Sequence, residues 1–418
     1  MTWEEVTLGD LLKTKHANLQ TGPFGTALKA DEYVKTGIPV IAVKDIESNK
    51  LNHESLVYVT EETATRLSKY EVKAGDIIFG RKGSVDRRAL IRDDENGWIQ
   101  GSDCIRLRLA SDISSEYISY QLGSNKIKAW MLSNAGGTTM PSLNQDILSR
   151  IPLILPPLET QKKIAAVLSS LDDKIELNTR MNKVLEEIAQ VIFKRWFVEF
   201  EFPNEKGEPY RSSGGKMKES ELGLIPEGWG VISVDDPIDV NPSVSLTKGT
   251  RSAYVDMASL PINCGSISDV SYKEYTGGSK FSNGDVLLAR ITPCLENGKT
   301  AFVDFLKEGE IGFGSTEFIV LRGKGEVKTS FVYCLARYSD FRKHCIASMV
   351  GSSGRQRVQN DCFKNYLLAH PSDTVLKAFD NMCGVLFKQI TINTQNSIRL
   401  IELRDSLLPK LMNGEIHL

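Results

Sequence analysis

The signals that mark common enzyme classes are missing from this chain. It has no H-x-E with C-x-x-C, no G-x-x-x-x-G-K-S/T and no G-x-S-x-G, and it lacks the Asn-Pro-Pro-aromatic and Phe-x-Gly-x-Gly motifs that methyltransferases carry. Its five histidines are dispersed, which favours surface or core positions over ligand or catalytic roles. The seven cysteines are odd in number and scattered, with no C-x-x-C pair; they read as free thiols in a reducing compartment, and no metal is expected. No apolar run reaches the roughly 18 residues of a membrane span, and MTWEEVTLGD has neither a basic start nor an apolar core, so a cytoplasmic location is expected. An excess of either charge sign is also missing, with 51 Lys and Arg against 53 Asp and Glu. A formal net charge of -2 excludes a generally cationic nucleic-acid binder, so any such binding must use local basic patches or a partner's charge.

What is present is a soluble, two-part architecture. At 418 residues the chain exceeds the roughly 250 to 300 residues at which single cores stop growing. From Pro156 to Phe202 it reads as one long amphipathic helix, with Ile164, Leu168, Leu171, Ile175, Leu185, Ile188, Ile192 and Trp196 on one seam. Asn178 and Asn182 interrupt that seam, the kind of polar layer that specifies register in a coiled coil. The acids Asp172-Asp173 and Glu186-Glu187 read as solvated charges on its outer face.

The segments on either side of this helix resemble each other. Trp3 to Asp10 is echoed by Trp229 to Asp236, Ala74 to Arg81 by Asn283 to Arg290, and Gly101 to Arg108 by Gly314 to Arg322. Cys104 to Leu109 alternates apolar and basic residues as a half-exposed strand does, and Glu116 to Leu132 reads as a helix. A second seam, with Phe379, Leu386, Ile390 and Asn393, copies the first, Asn178 matching Asn393 at an offset of 215. The stretch 203–228, rich in Gly, Ser, Pro, Glu and Lys, reads as a surface linker too short for a parallel return. The expectation is an α+β chain with a pseudo-twofold internal repeat: globular segments at 1–155 and 229–371, and long helices at 156–202 and 372–414 forming an antiparallel coiled coil about 60 Å long.

Two similar but non-identical heads suit a target with two different sites at fixed spacing. DNA is the obvious candidate, since one face recurs about every 34 Å. In the first head the candidate contacts are Lys44, Arg81, Lys82, Ser84, Arg87 and Arg88, with Thr138 and Thr139 in the loop Gly137 to Ser142. A solvated hairpin with ion pairs to Asp86, Asp93 and Asp94 is the competing reading of the Arg81 cluster. In the second head they are Lys248, Arg251, Arg290 and Thr292, and Ser352, Ser353, Arg355, Gln356 and Arg357 in a Gly-Ser loop. That loop could instead cap a helix or hold an adventitious anion.

Several stretches identify a family. Pro156-Pro157-Leu158-Glu159-Thr160-Gln161-Lys162-Lys163-Ile164-Ala165, Phe193-Lys194-Arg195-Trp196-Phe197, Leu222 to Trp229 and Leu407 to Ile416 make the whole chain resemble the specificity subunit of type I restriction-modification enzymes. The resemblance implies two target-recognition domains, each reading half of a split DNA sequence, and helices that set the spacing. It also implies two modification subunits that bind S-adenosylmethionine, and restriction subunits that use ATP and Mg. This chain would bind no cofactor and catalyse nothing. Gln161, Ile164, Leu168, Leu171, Ile175, Asn178 and Asn182, with their counterparts in the second helix, are the expected coiled-coil and subunit-docking positions. The equivalent of Gln161 is Leu376, so the two docking surfaces need not match. Two other classes compete: a coiled-coil scaffold that never touches bases, and an enzyme with a nucleotide site in the glycine loops.

Overall fold

Hydrophobic runs that leave water must pair their backbone amides, and here they do so in sheets whose order is used twice. The computed structural model describes residues 3–137 and 140–418. The chain divides into two compact units, Met1–Asp173 with Leu400–Leu418, and Lys174–Arg399.

In the first unit the strands Ala17–Thr21, Cys104–Leu109, Ile77–Gly80, Arg88–Leu90 and Ser48–Asn49 lie side by side in that order. A second sheet runs Tyr33–Val34, Val57–Val59, Ile38–Ile41, Ile99–Gln100, and Glu4–Thr7 pairs with Pro152–Leu155. The second unit repeats the scheme: Ile238–Val240, Phe318–Gly323, Val286–Ala289 and Thr300–Phe302 form one sheet, and Gly230–Ser233 pairs with Leu367–His370. One ion pair on a buried aspartate is also copied. Arg108 grips Asp76 through two bonds of 2.7 and 2.6 Å, and Arg322 grips Asp285 at 2.6 and 2.8 Å. Each aspartate also accepts a turn amide three residues back, Lys73 N and Ser282 N, both at 2.7 Å, so the charge is satisfied on all sides.

Two local expectations change. Cys104–Leu109 is not half-exposed, because Arg106 is buried and donates to the Glu71 carbonyl at 2.5 Å. The helix expected over Glu116–Leu132 is two, Ser115–Leu122 and Asn125–Asn134. Between them a Cβ on Gly123 would lie 2.1 Å from the Arg88 guanidinium, and Ser124 caps the next helix. The stretch 203–228 is ordered by Phe202, which stacks on Tyr210 and Trp229 at 4.6 and 4.9 Å.

The long helices are Leu158–Phe197 and Asp373–Met412, 40 residues each. In the first unit Ile164 and Leu168 share a core with Leu411 and Met412, while Leu171, and Ile175 just inside the second unit, are half-buried. In the second unit Phe193, Trp196 and Phe197 surround Phe379, with Leu386 and Ile390 nearby. Asn178 donates to Ser397 Oγ at 3.1 Å, and Asn182 donates to Thr394 Oγ1 at 3.1 Å while accepting from Asn393 Nδ2 at 2.9 Å. Ascending numbers on one helix meet descending numbers on the other, so the helices pack antiparallel within this unit.

The acid pairs are not both solvated. Asp172 accepts from Arg404 at 2.6 Å and from the Tyr120 hydroxyl at 2.7 Å, and Glu186 is buried against Arg337 at 3.1 Å; Asp173 and Glu187 are exposed. Ile188 also leaves the expected seam. The buried line is Asn182, Glu186, Ala189, Phe193 and Trp196, and Ile188 lies about 100° around the helix from Ala189. Asn182→Ala strands the Asn393 amide and the Thr394 hydroxyl. It is expected to lower unfolding free energy by ~1–3 kcal/mol, read as a reduced urea midpoint.

Candidate nucleic-acid interface

In both units the residue that follows the buried central strand is held by the same two backbone bonds. Arg81 N–H donates to the Asp103 carbonyl at 2.7 Å, and the Arg81 carbonyl accepts from Leu143 N at 2.8 Å. Arg290 does the same with Glu317 and Val358, at 3.0 and 2.9 Å. Two residues on, Gly83 N–H meets the Pro141 carbonyl, and Thr292 N–H meets the Gln356 carbonyl, both at 3.0 Å. The stretches that sequence chemistry singled out separately are thereby joined. Arg81 to Ser84 carries the hairpin closed by Gly136 and Ser142, and Arg290 to Thr292 carries the one closed by Val350 and Arg357. Gly351, at φ 140°, and Gly354, at φ 76°, allow the second hairpin to turn tightly.

The candidate cations of the two units fall into two groups. Some are consumed by the fold. Arg88 is 3% exposed and donates from Nε to the Ser119 carbonyl at 2.5 Å, and burial pushes its guanidinium down to about 10. It is a core residue, which corrects its assignment as a DNA contact. The reason is its strand: Arg88–Leu90 pairs on both edges and turns residue 88 towards Ser115–Leu122. Arg357 chelates Glu317 through bonds of 3.0, 3.0 and 2.7 Å, and this pairing holds its guanidinium above the usual range. It clamps the hairpin instead of offering a free fork. Arg290 turns inward to the Val358 carbonyl at 3.0 Å, with its Nε buried and unpartnered among the described residues. Thr292 Oγ1 faces Met349 Sδ at 3.5 Å.

The others remain at the surface. Arg87, Lys248, Arg251, Ser352, Ser353 and Arg355 are exposed, Gln356 and Ser84 are half-buried, and Lys82 reaches Asp103 at 3.4 Å. Lys44 is exposed but donates to the Ser55 carbonyl at 2.7 Å. Arg81 has no carboxylate partner among the described residues and lies over the Phe24 ring, 4.7 Å from its centroid. Thr138 and Thr139 lie outside the described residues. Sequence reasoning passed over Phe24. Its signal was a large apolar residue inside the turn Gly22-Pro23-Phe24-Gly25, where a solvent-facing turn needs none.

Gln161 also moves from docking to structure. Its Oε1 accepts from Ser114 N at 2.9 Å and its Nε2 donates to the Pro156 carbonyl at 2.8 Å, so it seals the start of the first long helix. Leu376, its counterpart, is buried in the second unit's core. Both positions face inward and differ only in whether a polar loop must be satisfied there.

Arg88→Ala is expected to cost ~2 kcal/mol or more of folding stability, because it removes a buried charge-assisted bond to the Ser119 carbonyl and empties a buried site. Arg87→Ala, on the exposed neighbour, is expected to change stability by less than ~0.5 kcal/mol. Denaturation of the two variants side by side checks the distinction.

The geometry agrees with what known proteins show. The family model described as the type I restriction modification DNA specificity domain matches residues 1–225. The MjaIX specificity subunit of Methanocaldococcus jannaschii is 25% identical over 97% of this chain and 93% of its own length. The HindI specificity subunit of Haemophilus influenzae is 24% identical, with 99% of each chain covered. The crystal structure of the type I restriction-modification S subunit from M. genitalium shares the fold at a TM-score of 0.56 and 14% identity, covering 99% of this chain and 96% of that one. With a duplicated head, a paired-helix core and a family model spanning more than half its residues, this chain belongs to the type I restriction-modification DNA specificity family.

Proposed function

We propose that the chain is the DNA-reading subunit of a type I restriction-modification complex, each unit reading one half of a bipartite site and the chain itself catalysing nothing. The observation that carries this is the duplicated cradle. One backbone scheme presents a hairpin beside the end of a buried strand in both units, while the surface groups differ: Arg81 and Lys82 in one, Arg355 and Gln356 in the other. Equal scaffolds with unequal readers suit an asymmetric two-part sequence, because phosphate contacts position a protein and side chains at base edges specify it. On this reading S-adenosylmethionine, ATP and Mg belong to the modification and restriction subunits. The working place is the cytoplasm, where the seven free cysteines stay reduced. The role of the long helices in spacing the half-sites comes from the family resemblance.

Docking of modification subunits has support of its own. Leu177, Met181, Val184, Ile188 and Val191 form a second line on the first long helix, spaced by four and three residues, each from 38% to 58% exposed. Met382, Val385 and Ile392 are exposed on the second helix. An apolar heptad line facing water is what a partner helix covers, and two modification subunits account for a line on each helix.

Mapping methylated adenines genome-wide in cells carrying the complete complex tests the main reading, with a split, asymmetric motif expected. Arg355→Ala should weaken recognition at one half by ~1–3 kcal/mol and leave the other half intact. An unchanged motif with unchanged DNA retention would favour the scaffold reading. Val184→Glu with Ile188→Glu should abolish co-purification of modification subunits while the isolated chain keeps its melting temperature. Retained co-purification would place docking elsewhere.

A further inference from the structure

Among the arginines of the two cradles, Arg81 is held by a ring instead of an acid or a carbonyl. Phe24, its partner, is 55% exposed, which costs solubility and contributes little to any core. Yet the turn that carries it is built rigidly. Gly22 N–H donates to the Cys104 carbonyl at 3.0 Å, and a Cβ on Gly22 would lie 1.9 Å from the Gly101 carbonyl oxygen. Pro23 is buried, Gly25 takes φ 55°, and the Phe24 carbonyl accepts from Ala27 N at 3.0 Å. Phe24 and Arg81 leave strands Ala17–Thr21 and Ile77–Gly80, which flank Cys104–Leu109 on its two edges. The ring and the guanidinium are therefore fixed from both sides at one end of one sheet.

The second unit has the same strand order without this pair. Ile238–Val240 runs into Asn241, whose side chain accepts from Val320 N at 3.0 Å, and the guanidinium of Arg290 folds back onto a carbonyl. The ring and a half-exposed guanidinium without an acid or carbonyl partner among the described residues are present together in the first unit, and at the matching positions of the second they are absent together. This co-occurrence is explained if the ring's task is to hold the guanidinium outward.

We infer that Phe24 is a positioning residue for base readout, orienting the Arg81 guanidinium so that its free N–H edge reads a guanine in the half-site of the first unit. This rests on the DNA-reading function proposed above. A phosphate contact needs only a positive charge within reach. A guanine contact needs two N–H groups directed at O6 and N7, so it gains from a guanidinium held in one orientation without an acid competing for its donors. Cation–π attraction to a partly exposed ring supplies that orientation while leaving the donors unsatisfied.

The test uses the assembled methyltransferase complex and the map of methylated adenines, for wild type, Phe24→Ala, Phe24→Leu, Phe24→Tyr and Arg81→Lys. Expected is a loss of discrimination of about tenfold or more at one guanine position of one half-site for the Ala, Leu and Lys variants. The other half-site should be unchanged, and Phe24→Tyr should restore the wild-type motif. Melting temperatures of the isolated chains separate loss of reading from loss of fold. Three results would overturn the inference: an unaltered motif in Phe24→Ala, an even loss of methylation at all sites without relaxation, or rescue by Leu as complete as by Tyr. Absence of any split motif in the wild-type map would instead overturn the DNA-reading function itself.

Discussion

Backbone groups that leave water must be paired, and in this protein that requirement places the candidate site. The central strand of each unit ends at an arginine whose N–H and carbonyl are both taken, one by the neighbouring strand and one by a hairpin from far along the chain. The bonds from Leu143 to Arg81 and from Val358 to Arg290 need no particular side chain, so they survive wide divergence of the hairpins. A scaffold carried by the main chain leaves the side chains free to differ, and the two units use that freedom.

Charge is sorted by the same logic. Arg108 with Asp76 and Arg322 with Asp285 are doubly bonded pairs on buried aspartates, so their charges are spent on fixing turns. Arg88 and Arg106 go further and are buried against carbonyls, tying Arg88–Leu90 to the helix Ser115–Leu122 and Cys104–Leu109 to the turn at Glu71. Of the arginines proposed as DNA contacts, those left outside the fold's own bonds are few: Arg87, Arg251 and Arg355 exposed and Arg81 half-buried. Such a chain depends on placement more than on bulk charge to meet DNA, and sequence reading depends on placement.

The long helices show two faces with two uses. The buried line through Asn182, Glu186, Ala189 and Phe193 mixes amides, an ion pair and aromatic packing, which admits one register because any slip would strand Asn393 or Arg337. The second line through Leu177, Val184 and Val191 is apolar and uncovered within the chain. That exposed line is the surface to which docking of modification subunits is assigned in the proposed function.

Much of this was legible in the sequence. The internal repeat, the paired helices and their polar layer follow from periodicity and a constant offset, since a helical seam is written in spacings of three and four whatever surrounds it. The two stretches of each cradle were legible as cations and small residues in loops, but their union was not, because 61 intervening residues separate Arg81 from Leu143 in sequence and nothing local records the bond. Burial was the larger gap. Arg88 reads the same as Arg87 in a list of residues, and Gln161 reads as a docking residue through the family resemblance of Pro156 to Ala165; strand pairing and a loop amide from Ser114 decided otherwise. Sequence by itself determined the duplication, the helices and the family, which are properties of pattern along one dimension. Tertiary structure alone decided which charges are spent and which are free, because that depends on what each side chain meets when distant strands close around it.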